Sequence, residues 1–252
     1  ENVEILAKDS MYIFIETTID IQQLVSSETQ FLYTDAIEFD SGSNLQKVEL
    51  VTLVKDAVFI YPQRFLNSEG QYITETLTFD VDGDGMDDET TIEGRVLDDT
   101  EHTFTNEKPY VIYGFAAVPN GETLTINPGA RLHFHNNSGI LVTEGASINI
   151  NGEFSTDQNL LENEVILESD RLEPNFSDIP GQWSALWLLD GSINNTITYT
   201  TIKNATVGIL SDGNPDEVSN KLNVTNTQIY NSSAFGILGR NTSIGAENIV
   251  VN

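Results

Sequence analysis

"TTIKNATVGIL" (200–210) and "TQIYNSSAFGIL" (227–238) are two copies of one pattern. Ile202, Asn204, Gly208 and Ile209 of the first stand where Ile229, Asn231, Gly236 and Ile237 stand in the second, with one residue inserted. "HNNSGILV" (135–142) carries the same Gly-Ile-Leu step, and "IVVN" (249–252) opens a further copy with Val250 and Asn252 in the Ile and Asn places. The asparagines are 27 and 21 residues apart. A period in the low twenties, built of short apolar strands, suits a coil of three strands stacked on its neighbours. Ile, Leu, Val and Phe then point inward while alternate residues face solvent. A helix is the rival reading of any apolar repeat. Thr, Val, Ile and Asn dominate here, Ala and Leu runs are absent, and no segment sustains a 3.6-residue period over three turns. The pattern therefore predicts β coils. Asn204, Asn231 and Asn252 are predicted to stack at one corner, each side-chain amide bonding its neighbours above and below. Such a ladder satisfies turn backbone that would otherwise be stranded in the wall.

The short-strand rhythm with Gly, Asn or Asp at each strand end begins near residue 109. Ahead of it, residues 1 to about 65 alternate as antiparallel β: "SMYIFIETTIDI" (10–21), "FLYTDAIEFD" (31–40) and "LQKVELVTLVKDAVFIY" (45–61), the last two separated by the turn cluster "SGSN". The chain is expected to be all-β, with an antiparallel sheet domain over 1–108 and a coiled domain over 109–252. A hairpin is expected at about 72–98.

Three stretches carry a resemblance. "KPYVIYGFAAVPNGETLTINPGARLHFHNNSGILVTEGASININGEF" (108–154), "VILESDRLEPNFSDIPGQWSALWL" (165–188) and "INNTITYTTIKNATVGIL" (193–210) resemble the right-handed parallel β-helix of exported Bacteroidota surface lipoproteins. The order "KDSMYIFIET" (8–17), "DAIEFDSG" (35–42), "LQKVELVTLVKDA" (45–57) resembles the second half of immunoglobulin-like modules in bacterial surface proteins. The resemblance implies a right-handed parallel β-helix behind an incomplete immunoglobulin-like sheet, at the cell envelope. It also implies truncation at both ends, with any lipid anchor upstream of residue 1 and further coils beyond the last residue.

Composition narrows the partners. Lys and Arg number 11 against 39 Asp and Glu, a formal charge of -28. Such a surface repels phosphate backbones, so nucleic acid is excluded as a partner class, and divalent cations, neutral glycans or proteins are expected instead. No cysteine is present, which removes disulfides and thiolate metal sites. The longest strongly apolar stretch, "YVIYGFAAV" (110–118), is too short to span a bilayer.

The densest charge lies in "FDVDGDGMDDET" (79–90). Calcium takes six to eight oxygens, supplied by carboxylates one residue apart around a tight turn. With Asp80 at position 1, Asp82 and Asp84 fall at 3 and 5, Gly85 allows the bend, the Met86 carbonyl is offered at 7, and Asp88 falls at 9. Thr91 stands where an EF-hand has its bidentate Glu, and strand-like flanks replace the two helices. The spacing is closer to the D-x-D-x-D-G-x-x-D hairpin loop seen in integrin-type propellers. A structural Ca²⁺ held by Asp80, Asp82, Asp84, Met86 and Asp88 is predicted, against the rival of a solvated acidic turn.

Other constellations are weaker. "RLHFH" (131–135) puts Arg131, His133 and His135 on one strand face, an exposed polar strip or, less simply, two zinc ligands lacking a third histidine nearby. Trp183 and Trp187 share parity opposite Leu186 and Leu188. With the leucines inward both indoles would lie on the outer wall and stack on sugar rings, the rival being core packing. Cations of the coiled part are scattered singly, and neither paired Asp with Gly-His-Gly nor Arg-x-Lys occurs. The expected function is a non-catalytic binding, adhesion or scaffold protein of the cell surface that presents its wall to a glycan or a partner protein. A β-helix lyase or glycoside hydrolase acting on acidic polysaccharide is the alternative.

Overall fold

The computed structural model of this chain describes residues 30–39, 42–80, 86–214 and 221–252. Two compact units divide it, Glu1–Asp56 and Ala57–Asn252. The described part of the first unit is one antiparallel hairpin. Its strands β1 (Gln30–Phe39) and β2 (Gln46–Lys55) pair with Gln30 opposite Lys55 and Phe39 opposite Gln46. Lys47 and Glu38 form an ion pair across it. The strand expected at 10–21 lies outside the described residues.

The second unit is all-β, and a large parallel sheet curls round its core. Its strands follow in chain order. The opening group is β3 (Val58–Ile60), β4 (Arg64–Leu66), β5 (Tyr72–Thr74), β6 (Thr76–Phe79), β7 (Asp88–Val96) and β8 (Thr103–Phe104). Next come β9 (Tyr110–Ile112), β10 (Phe115–Val118), β11 (Thr123–Ile126), β12 (Arg131–Phe134), β13 (Gly139–Val142) and β14 (Ser147–Asn151). The remainder are β15 (Val165–Ser169), β16 (Trp183–Leu188), β17 (Asn195–Thr198), β18 (Thr200–Lys203), β19 (Ala205–Asp212), β20 (Leu222–Tyr230), β21 (Phe235–Arg240) and β22 (Ile244–Val251).

Each circuit of the chain adds one strand to each of three parallel ladders. The first runs β3-β9-β12-β15-β18 to the C-terminal half of β20, and the second β7-β10-β13-β16-β19-β21. The third runs β8-β11-β14-β17 to the N-terminal half of β20. Because β20 serves both the first and the third, and β22 pairs along its length, these two form one eleven-stranded sheet.

Register stacks like on like. Leu132, Leu167, Ile202 and Ile229 lie in one column, and Ile126, Ile150, Ile197 and Val224 in another. All eight are buried, and all belong to the principal core. Burying each such side chain contributes about 1.5–3 kcal/mol. The two copies of the repeat also meet: Ile202 pairs with Ile229, and Ile209 with Ile237. Gly208 recurs as Gly236 because a Cβ on Gly208 would lie 2.5 Å from the Gly236 carbonyl oxygen. The walls approach too closely there for a side chain.

Corners between ladders are made by single left-handed residues: Asn204, Asn231, Asn226 and Asn248 all have positive φ, between 48° and 65°. Asparagine tolerates this conformation at less cost than most L-residues, which explains its abundance at strand ends.

The ladders start earlier than residue 109. β3 pairs with β9, β7 with β10 and β8 with β11, all parallel. The antiparallel signal of 64–96 belongs to the β4–β5 and β6–β7 pairs, which form an excursion from the first circuit. That excursion interrupts the period, so the sequence pattern hides the first circuit and the boundary falls at 56/57 rather than 108/109. Among the described residues no helix is long and apolar enough to cross a membrane.

Candidate functional site

The outer side of the second ladder is where the sheet departs from a plain solvated wall. Outward positions there carry Phe115, Ala117, Leu141 and Trp187, apolar side chains that a solvated face would not hold. The β6–β7 pair covers them: Leu77 and Phe79 join Phe115, Ala117, Leu141 and Leu189 in a second buried cluster, with Ile92 and Trp187 packed against it. Phe79 and Phe115 meet the Trp187 ring edge-on at 6.0 and 6.3 Å.

Beside this cover lies an open cleft of ≈ 1430 Å³. Trp187 and Leu189 contribute its apolar floor, and Asp80, Asp87, Glu89, Glu144, Asp190 and Asp212 its carboxylates. Arg240 is the one Lys or Arg lining it among the described residues, and it is committed. Its Nη2 donates to Asp212 Oδ2 at 2.6 Å and its Nε to Oδ1, and this pairing raises the guanidinium pKa. Asp212 Oδ2 also accepts the Trp187 indole N–H at 2.8 Å, which fixes the ring. Glu144 lies over the turn of the next circuit, where Gly191 has φ +73° and a Cβ would meet Glu144 Cγ at 2.4 Å. Lys221, buried at the same margin, donates from Nζ to the carbonyls of Leu189 and Asp212. Net charge in the cleft is strongly negative, so hydroxyl or cationic groups are the chemistry it can receive.

Asp80 and Asp87, on either side of the acidic loop, line this cleft. β6 ends at Phe79 and β7 begins at Asp88, and these two residues face each other across the pair, so strands flank the loop. Asp80, Met86 and Asp88 sit at its two stems, while Asp82 and Asp84 lie outside the described residues. Among the described residues no group of three or more His, Asp or Glu side chains is arranged to hold a metal ion.

Trp183 and Trp187 do not share a face. Pairing of β16 with β19 shifts register between Ala185 and Leu186, and the in–out alternation shifts with it. Trp183 is 1% exposed, stacked on Phe134 at 4.3 Å with its indole N–H given to the Lys203 carbonyl. It is a core residue and cannot stack on a sugar.

On the first ladder's outer side the RLHFH residues part company. Arg131 clasps the excursion between β14 and β15, donating to the carbonyls of Leu160, Leu161 and Glu164 at 3.2, 2.7 and 2.6 Å. Burial lowers its pKa. His133 lies 3.6 Å from Glu168, which also pairs with Lys203 at 2.5 Å. Burial lowers the His133 pKa, against the opposing pull of Glu168. His135 turns to a different carboxylate, its Nδ1 2.7 Å from Asp170 Oδ2, with the Tyr113 ring against it at 4.6 Å and tilted 33°. The two histidines therefore do not converge on one ion. His135 and Asp170 line a recess of ≈ 280 Å³ with Asn136, Arg171, Phe176, Ile179 and Gln182.

Asn204 and Asn231 follow paired strand ends and share the left-handed backbone of one corner, whereas Val251, not Val250, pairs with Ile229, so Asn252 falls one residue short, beside Tyr230. The Asn204 backbone N–H donates to the Tyr230 carbonyl and that of Asn231 to the Asn252 carbonyl, both at 3.2 Å. The Asn204 side chain serves another purpose than the expected ladder: its Nδ2 donates to the carbonyls of Ser177 and Ile179, each at 2.9 Å, holding the excursion between β15 and β16. An amide-to-amide contact occurs at a different corner, from Asn248 Nδ2 to Asn226 Oδ1 at 2.5 Å.

Glu144, Asp190, Asp212 and Arg240 were not singled out by sequence reasoning. Extending the repeat alignment two residues past Leu210 and Leu238 pairs Asp212 with Arg240, so that signal was present. Glu144 and Asp190 carry none, because turns that stack in space are separated by excursions of unequal length. No family model, curated protein or solved structure matches the chain.

Proposed function

We propose that the chain is an exported, calcium-stabilised protein of the cell surface that binds a glycan or a partner protein in the cleft beside the β6–β7 pair and does no chemistry on it. In this reading the body is a right-handed parallel β-helix of three-strand coils, and the preceding hairpin belongs to an immunoglobulin-like sheet domain. The observation that carries the reading is the cleft: an indole fixed in its floor by Asp212, with carboxylates around it and no uncommitted guanidinium or ammonium among its described lining residues. An aromatic face takes a sugar ring or an apolar side chain, and carboxylates accept from hydroxyls. Calcium held by Asp80, Asp82, Asp84, the Met86 carbonyl and Asp88 would relieve repulsion in the loop at the cleft's edge and stiffen the pair above it.

Two experiments test this. An immobilised glycan panel should show saturable binding, with no products released, that weakens about tenfold or more in the Glu144→Gln, Asp190→Asn double variant, the loss expected when hydrogen bonds to charged acceptors are removed. Thermal unfolding of the metal-free chain should shift upward on adding Ca²⁺, and the shift should vanish in the Asp82→Ala, Asp84→Ala variant. A lyase or hydrolase acting on acidic polysaccharide is the second reading, favoured by one observation: His135 set against Asp170 beside Arg171. Turnover of an acidic polysaccharide would establish it and end the non-catalytic reading.

A further inference from the structure

The recess at the corner between the first and second ladders is built differently from the cleft. Asp170 only accepts as a carboxylate, so the 2.7 Å contact places a proton on His135 Nδ1 and leaves Nε2 an acceptor while the ring is neutral. Tyr113 lies against the ring at a 33° tilt and limits its movement. Gln182 Nε2 faces the carbonyls of Phe176 and Ile179, both at 2.7 Å, which settles the orientation of that amide. Its Oε1 is then a buried acceptor with no partner, on a residue that lines the recess. Leaving such a group unsatisfied is unfavourable, and a donor entering beneath the 171–181 excursion relieves it. Asn136 offers both a donor and an acceptor at the rim.

Charge selects among donors. Arg171 lies over the Phe176 ring at 3.7 Å and is shared with Glu173, so a bound anion would have to displace Glu173 and sit near Asp170. An ammonium would meet the guanidinium. An uncharged group bearing hydroxyls meets neither obstacle, and Ile179 and Phe176 in the lining give its C–H face apolar surface. At ≈ 280 Å³ the recess is at the small end of ligand sites and fits one ring.

We propose that this recess is a second, separate subsite that binds a single uncharged sugar residue through His135, Asn136 and Gln182. The inference rests on the glycan reading of the preceding subsection. NMR titration with the methyl glycosides of glucose, galactose, mannose and N-acetylglucosamine tests it, with methyl glucuronide and methyl glucosaminide as the charged arms. At least one neutral glycoside should bind saturably in the millimolar range, ahead of both charged ones. His135→Phe, which keeps a ring against Tyr113, and Asn136→Ala should each weaken it about tenfold, the worth of one hydrogen bond of about 1.4 kcal/mol. The Glu144→Gln, Asp190→Asn cleft variant should leave it unchanged. No saturable neutral ligand, preference for a charged glycoside, or binding indifferent to both recess variants overturns the proposal. Polymer binding that fails in the cleft variant, with no neutral glycoside bound at the recess, would leave the cleft reading standing while this one falls. Loss of polymer binding everywhere, with the neutral glycoside still bound here, would do the reverse.

Discussion

The stacked circuits and the excursions that leave them are held by different physics. In the circuits, Leu132, Leu167, Ile202 and Ile229 repeat one contact, side chain on like side chain, and each supports the next. Among the excursions, the segment between β14 and β15 hangs on the Arg131 guanidinium, and that between β15 and β16 on the amides of Asn204 and Gln182. The first mechanism is redundant along the stack. The second concentrates each attachment in one or two polar side chains. The cleft and the recess both lie where an excursion meets the stack.

The largest effect should come from breaking a column. Ile202→Ala or Ile229→Ala each removes a fully buried aliphatic group and should cost about 2–5 kcal/mol, read by chemical denaturation as one global loss. Arg131→Met keeps the aliphatic stem and removes the clasp. It should cost about 1.5–3 kcal/mol at most, and hydrogen exchange should accelerate in 153–164 with little change in 200–210. At the Asn204 corner, Asn204→Ala loses two hydrogen bonds and forces alanine into left-handed backbone, whereas Asn204→Gly loses the bonds alone. The alanine variant should be less stable than the glycine variant by about 1 kcal/mol, and both should loosen 171–181.

The smallest effect is on pH. Burial holds the His133 pKa below its ordinary value of about 6.5. The unfolded chain then binds the proton first as pH falls, so this group's contribution to stability is complete above that value and is lost progressively below it. His133→Gln should flatten the acid side of the stability profile by that share, measured by urea denaturation from neutral to mildly acidic pH.

The same contrast explains what the sequence disclosed. The repeat placed Ile202 on Ile229 and Ile209 on Ile237 because a parallel stack forces like positions together at a fixed interval. The parity of Trp183 failed because a register shift at Ala185/Leu186 leaves no mark in residue type. The first circuit was hidden because the β4–β5 and β6–β7 pairs stand between β3 and β7. Asn204 has the left-handed backbone of a corner, but its amide partners are carbonyls of an excursion, and a carbonyl is the same in every residue. Of the cleft, the repeat pairs Asp212 with Arg240, while Glu144 and Asp190 depend on stacked turns at irregular separations.

Hydrogen exchange of the metal-free chain, with and without added Ca²⁺, bears most directly on the claim that an ion at the acidic loop secures the hairpin beside a binding cleft carried on an independent stack. Exchange should slow on calcium addition in β6 and β7, residues 76–79 and 88–96, and stay unchanged in 200–210 and 227–230. The Asp82→Ala, Asp84→Ala variant should show no slowing. Calcium that protects nothing, or protects the stacked strands as much as the hairpin, would contradict the account.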